Sequence, residues 1–214
     1  MKHELGVKIP NNISEDWPGQ YTIFSWIEYV LNLPYPIFII TTWKDNGKSN
    51  ACLCSWGHFT GKASGFYSLF SLSKDSHTYK NIKRDKEWCI NIPTVKYKDK
   101  YLQTIENNNK DNDEIIDAGL TTESSKMIKS PRIKESPISL ECQFEWEREL
   151  FAESPENIIC GKVIHLAADD IALNINHKQR IKDMGVMYNI RSHLNPLTGE
   201  KSLNTIGFIN SIED

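Results

Sequence analysis

The sequence predicts a mainly β protein, a closed or half-closed antiparallel barrel with helical decorations. Residues 37–43 are almost uninterruptedly apolar and β-branched, the mark of a strand buried on both faces. After Pro137, the residues Ile138, Leu140, Cys142, Phe144 and Trp146 alternate with Ser139, Glu141, Gln143 and Glu145. That period of two marks a half-exposed antiparallel strand. No repeating βα alternation and no Gly-x-Gly-x-x-Gly occurs, which argues against a parallel dinucleotide-binding sheet.

Residues 1–20 are polar and proline-punctuated and read as an N-terminal arm, with 21–214 as one domain carrying a C-terminal extension. Residues 21–33 have mixed spacing and fit either a short helix or a strand, ended by Pro34. Asp45-Asn46-Gly47 is a hairpin turn signal, since Asn and Gly tolerate the positive φ of such turns. The strand over 49–56 puts Asn50, Cys52, Cys54 and Trp56 on one face and Ala51, Leu53 and Ser55 on the other. Gly57 and Gly61 mark turns before an aromatic-rich strand over 66–72.

Ser73, Asp75 or Ser76 caps a helix through Tyr79, Ile82 and Lys83. A short strand over 88–92 stops at Pro93. Two helical pieces follow, 98–105 and 113–120, separated by a polar loop over 106–113 and ended by a C-cap at Gly119. Residues 157–167 make a partner for the strand after Pro137, with Gly161 marking a bulge or a close approach. A helix near 176–184 precedes an irregular tail with an apolar piece around 206–209.

A formal net charge of −3 with no basic cluster gives no reason to expect a nucleic-acid partner. No apolar run approaches the roughly 18 residues of a membrane span, and the first ten residues lack the apolar core of a secretory signal. A cytoplasmic, membrane-free protein is the expectation. Cys52, Cys54, Cys89, Cys142 and Cys160 are odd in number and contain no Cys-x-x-Cys, so reduced and buried thiols are expected, with no metal site.

The best anion candidate is Ser76-His77-Thr78 with Lys80, Lys83 and Arg84 on one helix face, because a helix start presents unpaired amides. An ordinary capped surface helix carries the same signature. Asp75 is a departure from an ideal anion pocket. Thr41, Thr42 and Asn50 flank the hairpin and offer hydrogen bonds to a heterocycle, although threonine also simply favours strands. No His-x-His, His-Glu-x-x-His or Gly-x-Ser-x-Gly appears, and no catalytic acid, base or nucleophile emerges.

Set in order, several small motifs resemble the flavin reductase-like family, the FMN-binding split barrels that include flavoredoxin. They begin with the strand ending in Thr41-Thr42, then Asp45-x-Gly47-x-x-Asn50-Ala51 and Ser55-Trp56. Thr78-x-x-Asn81-Ile82 and Trp88-Cys89-Ile90-Asn91-Ile92-Pro93 continue them. A second block has Ile116-Asp117-Ala118-Gly119-Leu120-Thr121, Ser125-Lys126-Met127, Pro131-x-Ile133-x-Glu135-x-Pro137, Leu140-Glu141-Cys142 and Gly161-Lys162-Val163-Ile164-His165.

The resemblance implies a split β-barrel of antiparallel Greek-key type and a homodimer with FMN near the subunit interface. It also implies that electrons come from NADH or NADPH and pass to free flavin or an electron-transfer partner. Carried over, Thr41, Thr42, Asn50, Ala51, Cys52 and Ser55 line the flavin ring and ribityl chain. Ser76, His77 and Thr78 meet the phosphate, and Leu53, Cys54 and Asn81 complete the flavin-binding set. The flavin carries the redox chemistry, so no protein acid or base is required. The alternatives are a flavoredoxin-type electron carrier without nicotinamide turnover, and a barrel binding another planar ligand such as haem.

Overall fold

A computed structural model of the chain describes residues 1–106 and 108–211. Asn107, in the predicted polar loop, and the last three residues of the predicted tail lie outside the described residues. The chain divides into two compact units, Met1–Tyr35 with Tyr188–Gly207, and Pro36–Met187 with the described residues 208–211.

The larger unit holds the barrel. Its strands are β1 Phe38–Trp43, β2 Ser49–Cys54, β3 Gly57–Lys62, β4 Gly65–Ser73, β5 Glu87–Asn91, β6 Ile138–Glu149 and β7 Glu156–Ala168. They form one seven-stranded sheet of order β2-β1-β5-β6-β7-β4-β3, and every adjacent pair is antiparallel. The connection from β4 to β5 runs through helix α1, His77–Asp85, and lands three positions along the sheet. This is the long return of a Greek key.

Strands β2 and β3 are consecutive in the chain yet occupy opposite edges of the sheet. Laid flat, seven strands would hold those edges about 29 Å apart. The link from Cys54 to Gly57 spans at most about 11 Å. The sheet must therefore roll up, and its core shows that it does. Phe38 of β1 meets Phe59 of β3 at 5.8 Å and Phe70 of β4 at 6.2 Å between ring centroids. Ile40, Ile82, Trp88, Ile90, Cys142 and Ile159 fill the same core.

Both glycines of the predicted turns, Gly57 and Gly61, lie inside β3. At Gly57 the reason is the Phe38 ring, which stands where a side chain would be. Gly161 of β7 sits at a register shift against β6, and any Cβ there would overlap the Trp88 indole. The bulge and the close approach are one feature.

Helix α2, Lys98–Glu106, and the single turn α3, Glu114–Asp117, follow β5. The second predicted helical piece is shorter than expected because Gly119 adopts φ 69° and turns the chain. Asn91, at the end of β5, accepts from the Ile133 amide at 2.8 Å and the Ser139 hydroxyl at 2.9 Å, which pins the segment before β6.

In the smaller unit, residues 21–33 resolve as helices Gln20–Ile23 and Trp26–Leu31, the second capped by Ser25. Trp26, Tyr29 and Leu194 make its core. The N-terminal segment is fastened within this unit at Val7 and Asn12. Asn12 Nδ2 donates to the carbonyls of Pro196 and Leu197, and Trp26 Nε1 donates to Val7 O at 3.0 Å.

Candidate functional site

The hairpin between β1 and β2 is closed by the Lys44 amide donating to Lys48 O at 2.9 Å. β2 is an edge strand, so alternate backbone groups face away from the sheet. The Ala51 amide is one of them, because it donates to Glu114 Oε2 at 2.7 Å instead of to β1. With a period of two, the Leu53 amide points to the same open edge.

Helix α1 begins beside this edge. Ser76 is its N-cap, its hydroxyl accepting from the Tyr79 amide at 3.2 Å. The amides of His77 and Thr78, in the first turn, have no carbonyl one turn earlier to receive them. Asn50 Nδ2 donates to Thr78 Oγ1 at 2.9 Å and fastens the strand to the helix start.

A cleft of about 130 Å³ lies between these elements, walled by Asn50–Leu53 on one side and Ser76–Thr78 on the other. Thr104, Ile105, Asn108 and Glu114 close it from the α2 and α3 side. A second cleft, of about 450 Å³, shares His77 and is lined by Lys44, Asp45, Lys80, Asn81, Arg84 and Lys110.

Seven of the twelve residues expected at a flavin thus share the smaller cleft, and Asn81 lines the larger one. The other four line neither. The Thr41 hydroxyl faces the carbonyls of Cys89 and Pro131 and is fully buried. Thr42 accepts from Asn81 Nδ2 at 3.0 Å and supports α1 from beneath. Cys54 packs in the barrel core, and Ser55 is buried in the link to β3.

Lys83, expected on the anion face, instead pairs with Glu147 of β6, and it lines neither cleft. Asp75 is exposed and offers its carbonyl to Lys80 Nζ at 2.8 Å, and its side chain lines neither cleft.

Glu114 and Lys44 are the residues that sequence reasoning missed. Lys44 Nζ lies 2.8 Å from Glu114 Oε1 and donates to the carbonyls of Asn109 and Asn112 at 2.7 and 2.8 Å. Only 5% of Lys44 is exposed. Burial raises the Glu114 carboxyl above its usual value, opposed by Lys44 and the Ala51 amide. Burial also pushes the Cys52 thiol up to about 11, with the Thr78 hydroxyl opposing, and Cys54 up to about 12. At neutral pH neither is a thiolate nucleophile. Among the described residues, no group of three or more His, Cys, Asp or Glu is placed to hold a metal ion. No helix among them is long and apolar enough to cross a membrane.

A rolled antiparallel sheet of this topology defines a split-barrel fold. The flavin reductase like domain model matches residues 30–184, and the chain belongs to that family. Membership supports a flavin-related oxidoreductase function. An uncharacterized protein of Aquifex aeolicus is 28% identical over 153 residues, covering 68% of this chain and 75% of its own. Among solved structures, nitrilotriacetate monooxygenase component B from Bacillus cereus is similar over 100% of both chains, with a TM-score of 0.75 and 18% identity. Flavoredoxin of Desulfovibrio vulgaris gives 0.64 at 17% identity over 98% of this chain and 96% of that one. At such identities the likeness to the solved structures establishes the fold.

Proposed function

We propose that the protein is an FMN-binding oxidoreductase that takes electrons from NADH or NADPH and passes them to free flavin or a partner protein. The observation that carries this reading is the smaller cleft, where Asn50–Leu53 and Ser76–Thr78 face one another. Its donor set suits the polar parts of a flavin mononucleotide, whose bulk would extend beyond the roughly 130 Å³ of the cleft. The outward backbone groups of β2 alternate donor and acceptor, as does the pyrimidine edge of a flavin. The first-turn amides of α1 and the Thr78 hydroxyl suit a phosphate.

Bound FMN would supply the two-electron chemistry, and the protein its binding and orientation. Asn50 holds Thr78 at the helix start, its Nδ2 donating to the Thr78 hydroxyl, which borders the cleft. Glu114 occupies the Ala51 amide and so fixes where along β2 a ligand begins. Thr104 and Ile105 limit the access of water from the α2 side. The raised thiol of Cys52 stays protonated and neutral against the ring.

Homodimerisation belongs to the same proposal. The tip of the β6–β7 hairpin exposes Leu150 and Phe151, at 67% and 60%, apolar side chains of the kind that association covers. Light scattering on the pure protein tests it, and a monomeric mass would rule it out. The catalytic reading is tested by steady-state oxidation of NADH and NADPH with free FMN as acceptor. Turnover is expected with at least one donor. Flavin binding without turnover with either would reduce the protein to an electron carrier.

A further inference from the structure

The smaller unit carries a cleft of its own, of about 290 Å³. Every residue lining it lies outside residues 30–184, so family membership assigns it nothing. Arg191 lines this cleft although only 7% of it is exposed. Its guanidinium lies over the rings of Phe24 and Tyr29, 5.0 and 5.3 Å from their centroids. Those contacts hold the planar fork in one orientation before any ligand arrives. Gln20, Asn189, Asn204 and Ser192 add amide and hydroxyl groups to the same walls.

Charge narrows the class of ligand. Asp16 also lines the cleft, but Lys201 Nζ meets its carboxylate at 2.9 Å and Gln20 Nε2 donates to it at 3.3 Å. Glu28 engages Arg191 more loosely. Its Oε2 lies 3.3 Å from Nη1, is buried, and receives no hydrogen bond among the described residues. The guanidinium thus sits in charge contact with a carboxylate that is not aligned with it. A carboxylate entering the cleft can take the bidentate geometry that Glu28 lacks.

We infer that this cleft binds a small organic carboxylate, a monoanion of up to the size of benzoate, with Arg191 as its recognition residue. Arg191 is the one cation among the described lining residues, which matches a single negative charge, whereas a phosphate dianion calls for more. The volume lies at the lower end of small-ligand sites. The inference is independent of the flavin reading, because the cleft shares no residue with the two described above.

The test titrates the full chain calorimetrically with benzoate and with propanoate, each against its uncharged amide, benzamide or propanamide. At least one acid is expected to bind saturably, about tenfold or more tighter than its amide. Arg191→Lys keeps the charge but loses the planar fork, and should weaken that acid about tenfold. Glu28→Gln removes the competing carboxylate and should tighten it about threefold. The Glu28 side chain is 31% exposed, so this variant reports on binding even if Arg191→Lys fails to fold. A purely structural Arg191 would give no such tightening. The inference is overturned if neither acid binds at about ten millimolar, if acid and amide bind equally, or if inorganic phosphate binds more tightly than either acid. An affinity that Arg191→Lys leaves unchanged, or that Glu28→Gln fails to tighten, also overturns it.

Discussion

Glu114 and Lys44 form an ion pair at 2.8 Å with both side chains almost wholly out of solvent. The pair joins the β1–β2 turn to α3, and the second carboxylate oxygen reaches the Ala51 amide. A buried pair is costly to break on one side, because the remaining charge is left in a poor solvent. Glu114→Gln should therefore lower stability by about 3 kcal/mol in urea unfolding. Lys44→Met/Glu114→Leu should recover most of that loss, since neither charge then remains. A single variant as stable as the native chain would show that the pair is incidental.

Thr78 provides a direct probe of the smaller cleft. Its hydroxyl accepts from Asn50, and Val keeps the shape while removing the hydroxyl. Thr78→Val should weaken FMN binding about tenfold or more, the worth of one charge-assisted hydrogen bond. Riboflavin, which lacks the phosphate, should lose much less. Equal loss for both ligands would place the phosphate elsewhere.

Gly161→Ala tests the barrel core. The added methyl would overlap the Trp88 indole at the β6–β7 register shift. Overpacking of this kind costs about 1–3 kcal/mol, or roughly 3–10 °C in Tm for a chain of this size. Trp88→Phe in the same protein should return part of the loss, and additive losses would show that the two residues do not collide.

The barrel was legible because its signals are local. Residues 37–43 and the alternation after Pro137 each declare a strand without help from the rest of the chain. The hairpin was equally readable, and the cap was narrowed to Ser73, Asp75 or Ser76, of which the structure uses Ser76, since turn and cap chemistry depend on a few adjacent residues. The smaller cleft was legible only through the order of the family-like motifs. Lys44 sits beside a turn and Glu114 at a helix start, where both look like ordinary solvated charges, and their pairing across 70 residues of chain leaves no local trace. Thr41 shows the opposite limit. Its position in a motif was visible, but the direction of its hydroxyl, toward Pro131, depends on a segment far along the chain.

Glu141 gives the protein an acid-sensitive element. Burial alone would raise its carboxyl. Donations from the Lys126 and Met127 amides, at 2.8 and 2.6 Å, and from Arg132 outweigh burial and hold it below the usual value. A group whose folded value is depressed adds stability that is fully present above its unfolded value and lost as pH falls through the folded one. Native stability should therefore decline as pH drops below about 4.5. Glu141→Gln should be less stable at pH 7, with a flatter acid limb. An unchanged slope in Tm against pH would assign the acid sensitivity to other carboxylates.

The central claim is that the space between Asn50–Leu53 and Ser76–Thr78 holds a flavin. Titrating the purified protein with FMN, followed by visible absorbance and flavin fluorescence, tests it most directly. A saturable spectral change with one FMN bound per chain is expected. A spectrum that stays that of free FMN at every protein concentration would contradict it.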